Sequence, residues 1–300
     1  MHAYVANSQS KSVSVIDTRT NTVIATIPVG DGPVNPTFRP DGKRVYVSNL
    51  MDGTISVIDV ERAAVTSTIQ VGAPRPSGLA FTADGKRLVI TLLGEKLEAP
   101  GAVRVLTLAT GEMTSLIPVQ AQPERIALTP DGKHAYVVNM MSRSMSVIDI
   151  DAAKVIATIP LGMWPFNVLM SPDGKRVYVG NVKSNSIAVL DTVSNKLVNT
   201  IDTEAGPNGM TFSLDYRSLY VTNVFASKVQ IIDLNTGRAS LTGDVGEKPG
   251  FIKLTQDGKR AYFTRPYGDT VSVMDTATLG IVATIKVGDG PSTVAIHNSP

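Results

Sequence analysis

The residue types that carry most metal, nucleophilic and acid–base chemistry are scarce in this 300-residue chain. Cysteine is absent, which excludes disulfides, thiolate metal sites and a cysteine nucleophile. There are three histidines, His2, His134 and His297, too few and too scattered to suggest a metal centre. No Gly-x-Ser-x-Gly, phosphate loop or dinucleotide fingerprint occurs. Proton transfer is left to carboxylates. Glu124 is the candidate acid or base, with Arg125 or Arg265 stabilising developing negative charge. The same arginines would pair a carboxylate or phosphate on a ligand, or Arg265 would form a salt bridge with Glu124 instead. Large apolar residues are distributed unevenly: Met140, Met141, Trp164, Phe166, Phe225, Phe251 and Tyr267 fall in the later part of the chain. Aromatic and methionine walls with a few polar groups suit an organic ligand or a partner. Packing inside the fold is the competing role, above all for Phe166 and Phe251.

The elements that would position these residues are read from a repeat. The phrase Tyr-Val-x-Asn and its variants return at residues 4, 46, 89, 136, 178, 220 and 262, in steps of 42, 43, 47, 42, 42 and 42. Each unit reads as four short strands. The first follows a Gly-x-x-Pro turn, and a Pro-Asp-Gly-Lys hairpin leads into the second. The third alternates, as in Thr54-Ile55-Ser56-Val57-Ile58-Asp59. The fourth is of the type Val23-Ile24-Ala25-Thr26-Ile27-Pro28. Four-stranded units of about 40–45 residues indicate a β-propeller. The expected fold is all-β, a single seven-bladed propeller over residues 1–300. The terminal strands share one blade, because the chain starts at a second strand and ends with a first, Thr293-Val294-Ala295-Ile296.

Tyr220-Val221-Thr222-Asn223 together with the Ser-Val-Ile-Asp and Pro-Asp-Gly-Lys segments resembles the YVTN-repeat seven-bladed propellers along essentially the whole chain. The resemblance implies a rigid ring and an exported protein, since that family includes surface-layer and periplasmic members. It also implies more distant kinship with lactonases, a streptogramin-cleaving lyase and haem d1 carriers. No histidine lies in the loops after strands two and four, where those lyase and haem sites would require one.

The repeated phrase itself is expected to be structural. Twelve of the 26 acidic residues sit at repeat-equivalent turns, such as Asp41, Asp84 and Asp131 or Asp17, Asp59 and Asp149. Aspartate there accepts backbone N–H bonds. Asn139, Asn181 and Asn223 end second strands and lie near the channel mouth, within reach of a ligand. Function is expected where copies differ, on the mouth side. Arg75, in a one-residue expansion, joins Arg125 and Arg265 there. A five-residue insertion, Gly94-Glu95-Lys96-Leu97-Glu98, would be a lid, a partner contact or a neutral loop. Nine acids and nine bases balance in the mouth loops, which argues against a polyanion site such as nucleic acid. No membrane-spanning segment, cofactor or metal is expected, and the protein is expected to be a monomer. Absence of a visible leader leaves either a cytosolic protein or one whose leader has been removed, periplasmic or secreted. Three functions follow: a non-enzymatic propeller recruiting a small organic molecule, peptide or protein; a hydrolase or lyase using Glu124; or a structural cell-envelope module.

Overall fold

A computed structural model describes residues 1–297, and among them every regular element is a strand. Twenty-eight strands form seven four-stranded antiparallel sheets, the blades of a seven-bladed β-propeller. Blade I comprises Pro33–Phe38, Arg44–Asn49, Thr54–Asp59 and Ala64–Gln70. Blade II comprises Pro76–Phe81, Arg87–Leu92, Pro100–Thr107 and Ile117–Ala121. Blade III comprises Pro123–Leu128, His134–Asn139, Ser144–Asp149 and Lys154–Pro160. Blade IV runs from Pro165–Met170 through Arg176–Asn181 and Ser186–Asp191 to Lys196–Asp202. Blade V starts at Pro207–Phe212 and blade VI at Ile252–Leu254. Blade VII is made by both chain ends. Pro291–Ile296 pairs with His2–Asn7, with Tyr4 opposite Ala295, and Ser12–Asp17 and Thr22–Pro28 follow. This is the shared blade that the sequence register requires.

The chain groups into two compact units. Gly72–Asp202 carries blades II, III and IV, and Met1–Val71 with the chain from Thr203 carries blades V, VI, VII and I. Second and third strands are buried along nearly their whole length, as in HAYVVN and SMSVID of blade III. A sheet covered on both faces reads as a continuous apolar run rather than a clean alternation. The cores lie between neighbouring sheets. Tyr136 and Val138 of blade III pack with Val177, Val179 and Leu190 of blade IV. Val89 and Val103 of blade II pack with Val137 and Ile148 of blade III. Fourth strands are the exposed edges, as in KLVNTID of blade IV.

The twelve repeated aspartates act as the turn chemistry requires. Asp41, Asp84, Asp131, Asp173 and Asp257 each accept the N–H two residues on. Asp59, Asp149 and Asp191 accept one three residues on. Asn49 shows what the end of the second strand does. Its amide donates to Thr54 Oγ1 (2.8 Å) and Ser56 Oγ (2.9 Å), tying strand two to strand three. Gly30 closes over it: a Cβ there would lie 2.5 Å from the Asn49 amide. Gly162 and Gly288 stand in the same relation to Asn181 and Asn7.

Candidate functional site

The first strands are where the copies diverge. After the opening proline the ladder slips: pairing is irregular between Pro76 and Leu79, between Pro123 and Ile126, and between Pro165 and Asn167. A slipped segment leaves its residues outside the regular pairing and re-aims their side chains. Ser77-Gly78, Glu124-Arg125 and Phe166 occupy these segments in blades II, III and IV. The sequence varies where the backbone is released from the ladder.

Three contacts bring these residues together. Ser77 Oγ donates to Glu124 Oε2 at 3.2 Å. Thr91 Oγ1 accepts the Gly78 N–H at 2.6 Å and donates to the Glu124 carbonyl at 3.3 Å. The Arg125 guanidinium lies over the Phe166 ring, 5.6 Å from its centroid. Gly78 is required for the approach, since a Cβ there would sit 2.7 Å from the Glu124 carbonyl oxygen. The threonine clasp recurs in the other unit, where Thr222 Oγ1 accepts from Gly209 and donates to Gly250. The clasp is therefore structural, and the glutamate it holds is particular to blade III.

Electrostatics distinguish this glutamate from the turn aspartates. Glu124 and Arg125 keep some solvent contact but are crowded by protein. Burial pushes the Glu124 carboxyl above its usual range, against the opposing pull of Arg125, the Ser77 hydrogen bond and Arg75. Burial also pushes Arg125 down to about 10, with Glu124 opposing. A carboxyl that holds its proton unusually well, beside a cation, is equipped to exchange it with a bound molecule.

A second layer comes from the residue before each opening proline. All seven of these residues have positive φ, and Gly occupies the position at Gly32, Gly206 and Gly290. Blades II, III and IV place Arg75 (φ 57°), Gln122 (φ 54°) and Trp164 (φ 53°) there instead, and Lys248 (φ 45°), before Pro249, holds the position ahead of blade VI. A bulky residue in the left-handed region is strained and marks a site of function more often than chance. Arg75 donates to the Gly94 carbonyl at 2.7 Å, and the Gln122 amide donates to the Lys96 carbonyl at 3.0 Å. Together they pin the insertion at Gly94 and Lys96. Lys183 lies 3.6 Å from the centre of the Trp164 ring. Gln122 is missing from the sequence-level candidates; the glycine at that position in three other units was the available signal. Replacing Arg75 and Gln122 together with alanine should free the 94–99 loop. Amide exchange there should quicken at least tenfold, while Asp-Gly hairpin amides stay as they were; unchanged exchange at residues 94–99 would contradict the clamp.

The remaining candidates divide. Met140 and Met141 are half-buried rather than solvated, with the Met140 N–H bonded to the Gln122 carbonyl. Asn139, Asn181 and Asn223, expected within reach of a ligand, are buried. Asn139 donates to Ser144 and Ser146, Asn181 to Ser186 and Asn223 to Gln230, so their amides brace the blades. Arg265 is also engaged internally. It donates to Ser272 and to the carbonyls of Val245 and Glu247, and it stacks on Phe263. It thus braces the 245–247 turn. Phe251 is half-buried, whereas Phe225 and Tyr267 are exposed, 59% and 80%, with Lys248 over the Tyr267 ring. Among the described residues no group of three His, Cys, Asp or Glu side chains is placed to hold a metal ion. No helix among them is long and apolar enough to cross a membrane.

Comparison with known proteins adds the family. A family model described as "Lactonase, 7-bladed beta-propeller" matches residues 1–200 and 80–254. No curated protein matches. Among solved structures, a functionally unknown protein from Desulfotomaculum acetoxidans is 20% identical, with 98% of each chain covered and a TM-score of 0.87. Kuenenia stuttgartiensis hydrazine synthase is 22% identical, with 92% of each chain covered and a TM-score of 0.80. The dihydro-heme d1 dehydrogenase NirN in complex with DHE is 18% identical, covering 98% of this chain and 74% of that one, with a TM-score of 0.71. Identities this low bear on fold alone.

Proposed function

This chain belongs to the family of lactonase-type seven-bladed β-propellers, and on that premise we propose that it opens a small cyclic ester by carboxylate acid–base chemistry at Glu124. The observation that carries the proposal is the crowded Glu124 carboxyl, raised above its usual range and held by Ser77 beside Arg125. In its ionised form Glu124 takes a proton from the water that attacks the ester carbonyl. Arg125, assisted by Arg75, offsets the negative charge that develops on the carbonyl oxygen. Glu124 then returns the proton to the departing ring oxygen, so one water and one lactone become one hydroxy acid. Phe166 and Trp164 supply apolar wall, and the pinned 94–99 loop supplies a rim. The Tyr-Val-x-Asn repeats support a narrower placement among exported propellers.

A second reading keeps the site and removes the reaction. Trp164, 36% exposed in a strained conformation under Lys183, favours recruitment of an organic ligand or a peptide without turnover. The experiment that separates the two is titration at constant pH of native protein with δ-valerolactone, with spontaneous opening subtracted. Saturable, protein-dependent acid release supports catalysis. Saturable binding of the lactone by calorimetry without acid release would leave recruitment standing and defeat the hydrolase.

A further inference from the structure

The turn before each first strand keeps its left-handed residue and changes its side chains. In blade IV it reads Met163-Trp164-Pro165. The pair before the proline is elsewhere Asp31-Gly32, Pro74-Arg75, Ala121-Gln122, Ala205-Gly206, Glu247-Lys248 and Asp289-Gly290. Blade IV alone puts two large apolar side chains there. They are firmly held. The Met163 N–H donates to Ser184 Oγ at 2.7 Å, and the carbonyls of Met163 and Trp164 accept from Lys183 (3.1 Å) and Val182 (2.9 Å). On the other side the Leu161 N–H donates to the Arg143 carbonyl at 2.8 Å. The same carbonyl bonds form at Asp31-Gly32 and Asp289-Gly290, so they account for the turn and not for its side chains. Met163 and Trp164 are 40% and 36% exposed, and Trp164 stands in a conformation that glycine fills in three other blades. An exposed apolar pair, strained where glycine would serve, points to a ligand.

The pair adjoins the Glu124 site. Two residues on, the Phe166 ring carries the Arg125 guanidinium. Two residues of extended chain span about 7 Å, a distance that a short alkyl chain covers. The half-buried Met140 and Met141 belong to the 140–143 loop, to which the turn is tied through Leu161. Methionine side chains adapt their shape to a flexible hydrocarbon. Lys183 and the exposed Arg143 flank the pair, so a carboxylated chain is the competing ligand. Met163 and the indole face offer a carboxylate no hydrogen bond, which favours the uncharged chain. Resting on the lactonase reading, we infer that the substrate is a lactone whose ring carries an alkyl chain, with the ring at Glu124 and the chain along Met163 and Trp164. The two side chains would then decide which lactones are taken.

The test compares δ-valerolactone with δ-decalactone, the same ring bearing a pentyl chain, and with the ring bearing a carboxymethyl group instead. Native kcat/KM should favour δ-decalactone by about tenfold or more, since a single methylene in an apolar pocket is worth about that much. The carboxymethyl lactone should gain nothing. Trp164→Gly installs the residue that Gly32, Gly206 and Gly290 supply in the same turn, so the backbone keeps its shape. Trp164→Gly and Met163→Gln should each cut the preference about threefold or more, and Met163→Leu should retain it. The preference is a ratio within each protein, so a change in overall turnover does not enter it. Calorimetry with δ-valerolactam and its pentyl derivative separates the chain site from the reaction. Tighter native binding of the pentyl lactam, lost in Trp164→Gly, supports the chain site also when no lactone is opened. Equal lactam affinities, equal kcat/KM for the two neutral lactones, a preference for the carboxymethyl lactone, or a preference unchanged in both Trp164→Gly and Met163→Gln would overturn the inference.

Discussion

Glu124→Gln should lower kcat for δ-valerolactone opening by 100-fold or more and leave KM within about threefold. Glutamine keeps the shape and can still accept the Ser77 hydrogen bond, so the fold around Thr91 and Gly78 stays in place. It can neither take a proton from water nor return one to the ring oxygen. The neighbouring Arg125→Gln should act differently. It removes charge stabilisation from the transition state and should reduce kcat by about 10²–10³. Stopped turnover in Glu124→Gln with retained lactone binding is the pattern expected of an acid–base group. A variant with native turnover would remove Glu124 from the chemistry.

The second large effect is mechanical. Gly78→Ala places a methyl carbon 2.7 Å from the Glu124 carbonyl and 2.9 Å from Thr91 Oγ1. The obstacle is backbone of the next blade, which cannot rotate away as a flexible side-chain end would. Blade III must shift, and stability should fall by about 1–3 kcal/mol. Turnover should fall with it, because the shift moves the Glu124 backbone itself. Gly268→Ala is the control: its nearest neighbour would be 3.6 Å away, an ordinary contact, so stability and turnover should hold. Equal melting temperatures for the two variants in calorimetry would contradict the close approach of blades II and III.

The sequence made the fold legible because each blade repeats the same local instructions. Asp-Gly turns, alternating third strands and Tyr-Val-x-Asn second strands recur with a near-constant period, so the errors of one unit are corrected by six others. The half-blades at the termini were readable for the same reason. Glu124 was legible as a departure from that regularity. Its burial was not, because it depends on Gly78 and Thr91 of a neighbouring blade bringing two backbones together. Position near a strand end does not say which way the amides of Asn139, Asn181 and Asn223 face; partners on the third strand, Ser144 and Ser146, Ser186 and Gln230, decide that. The internal bonds of Arg265 were hidden similarly, since its carbonyl partners carry no side-chain signature. Gln122 was recoverable in principle, because three other units place glycine at its left-handed position.

The proposed chemistry rests on a raised carboxyl at Glu124 beside a cationic Arg125. The decisive experiment is the pH dependence of kcat/KM for δ-valerolactone, native protein against Glu124→Gln. Burial raises Glu124, so the reactive carboxylate should appear only as pH climbs past the ordinary carboxylate range. Arginine stays protonated across the pH range in which the lactone survives, so the native protein should give a rising profile whose acid limb disappears in the variant. A native profile with its acid limb in the ordinary carboxylate range, or an acid limb that survives in Glu124→Gln, would contradict the account.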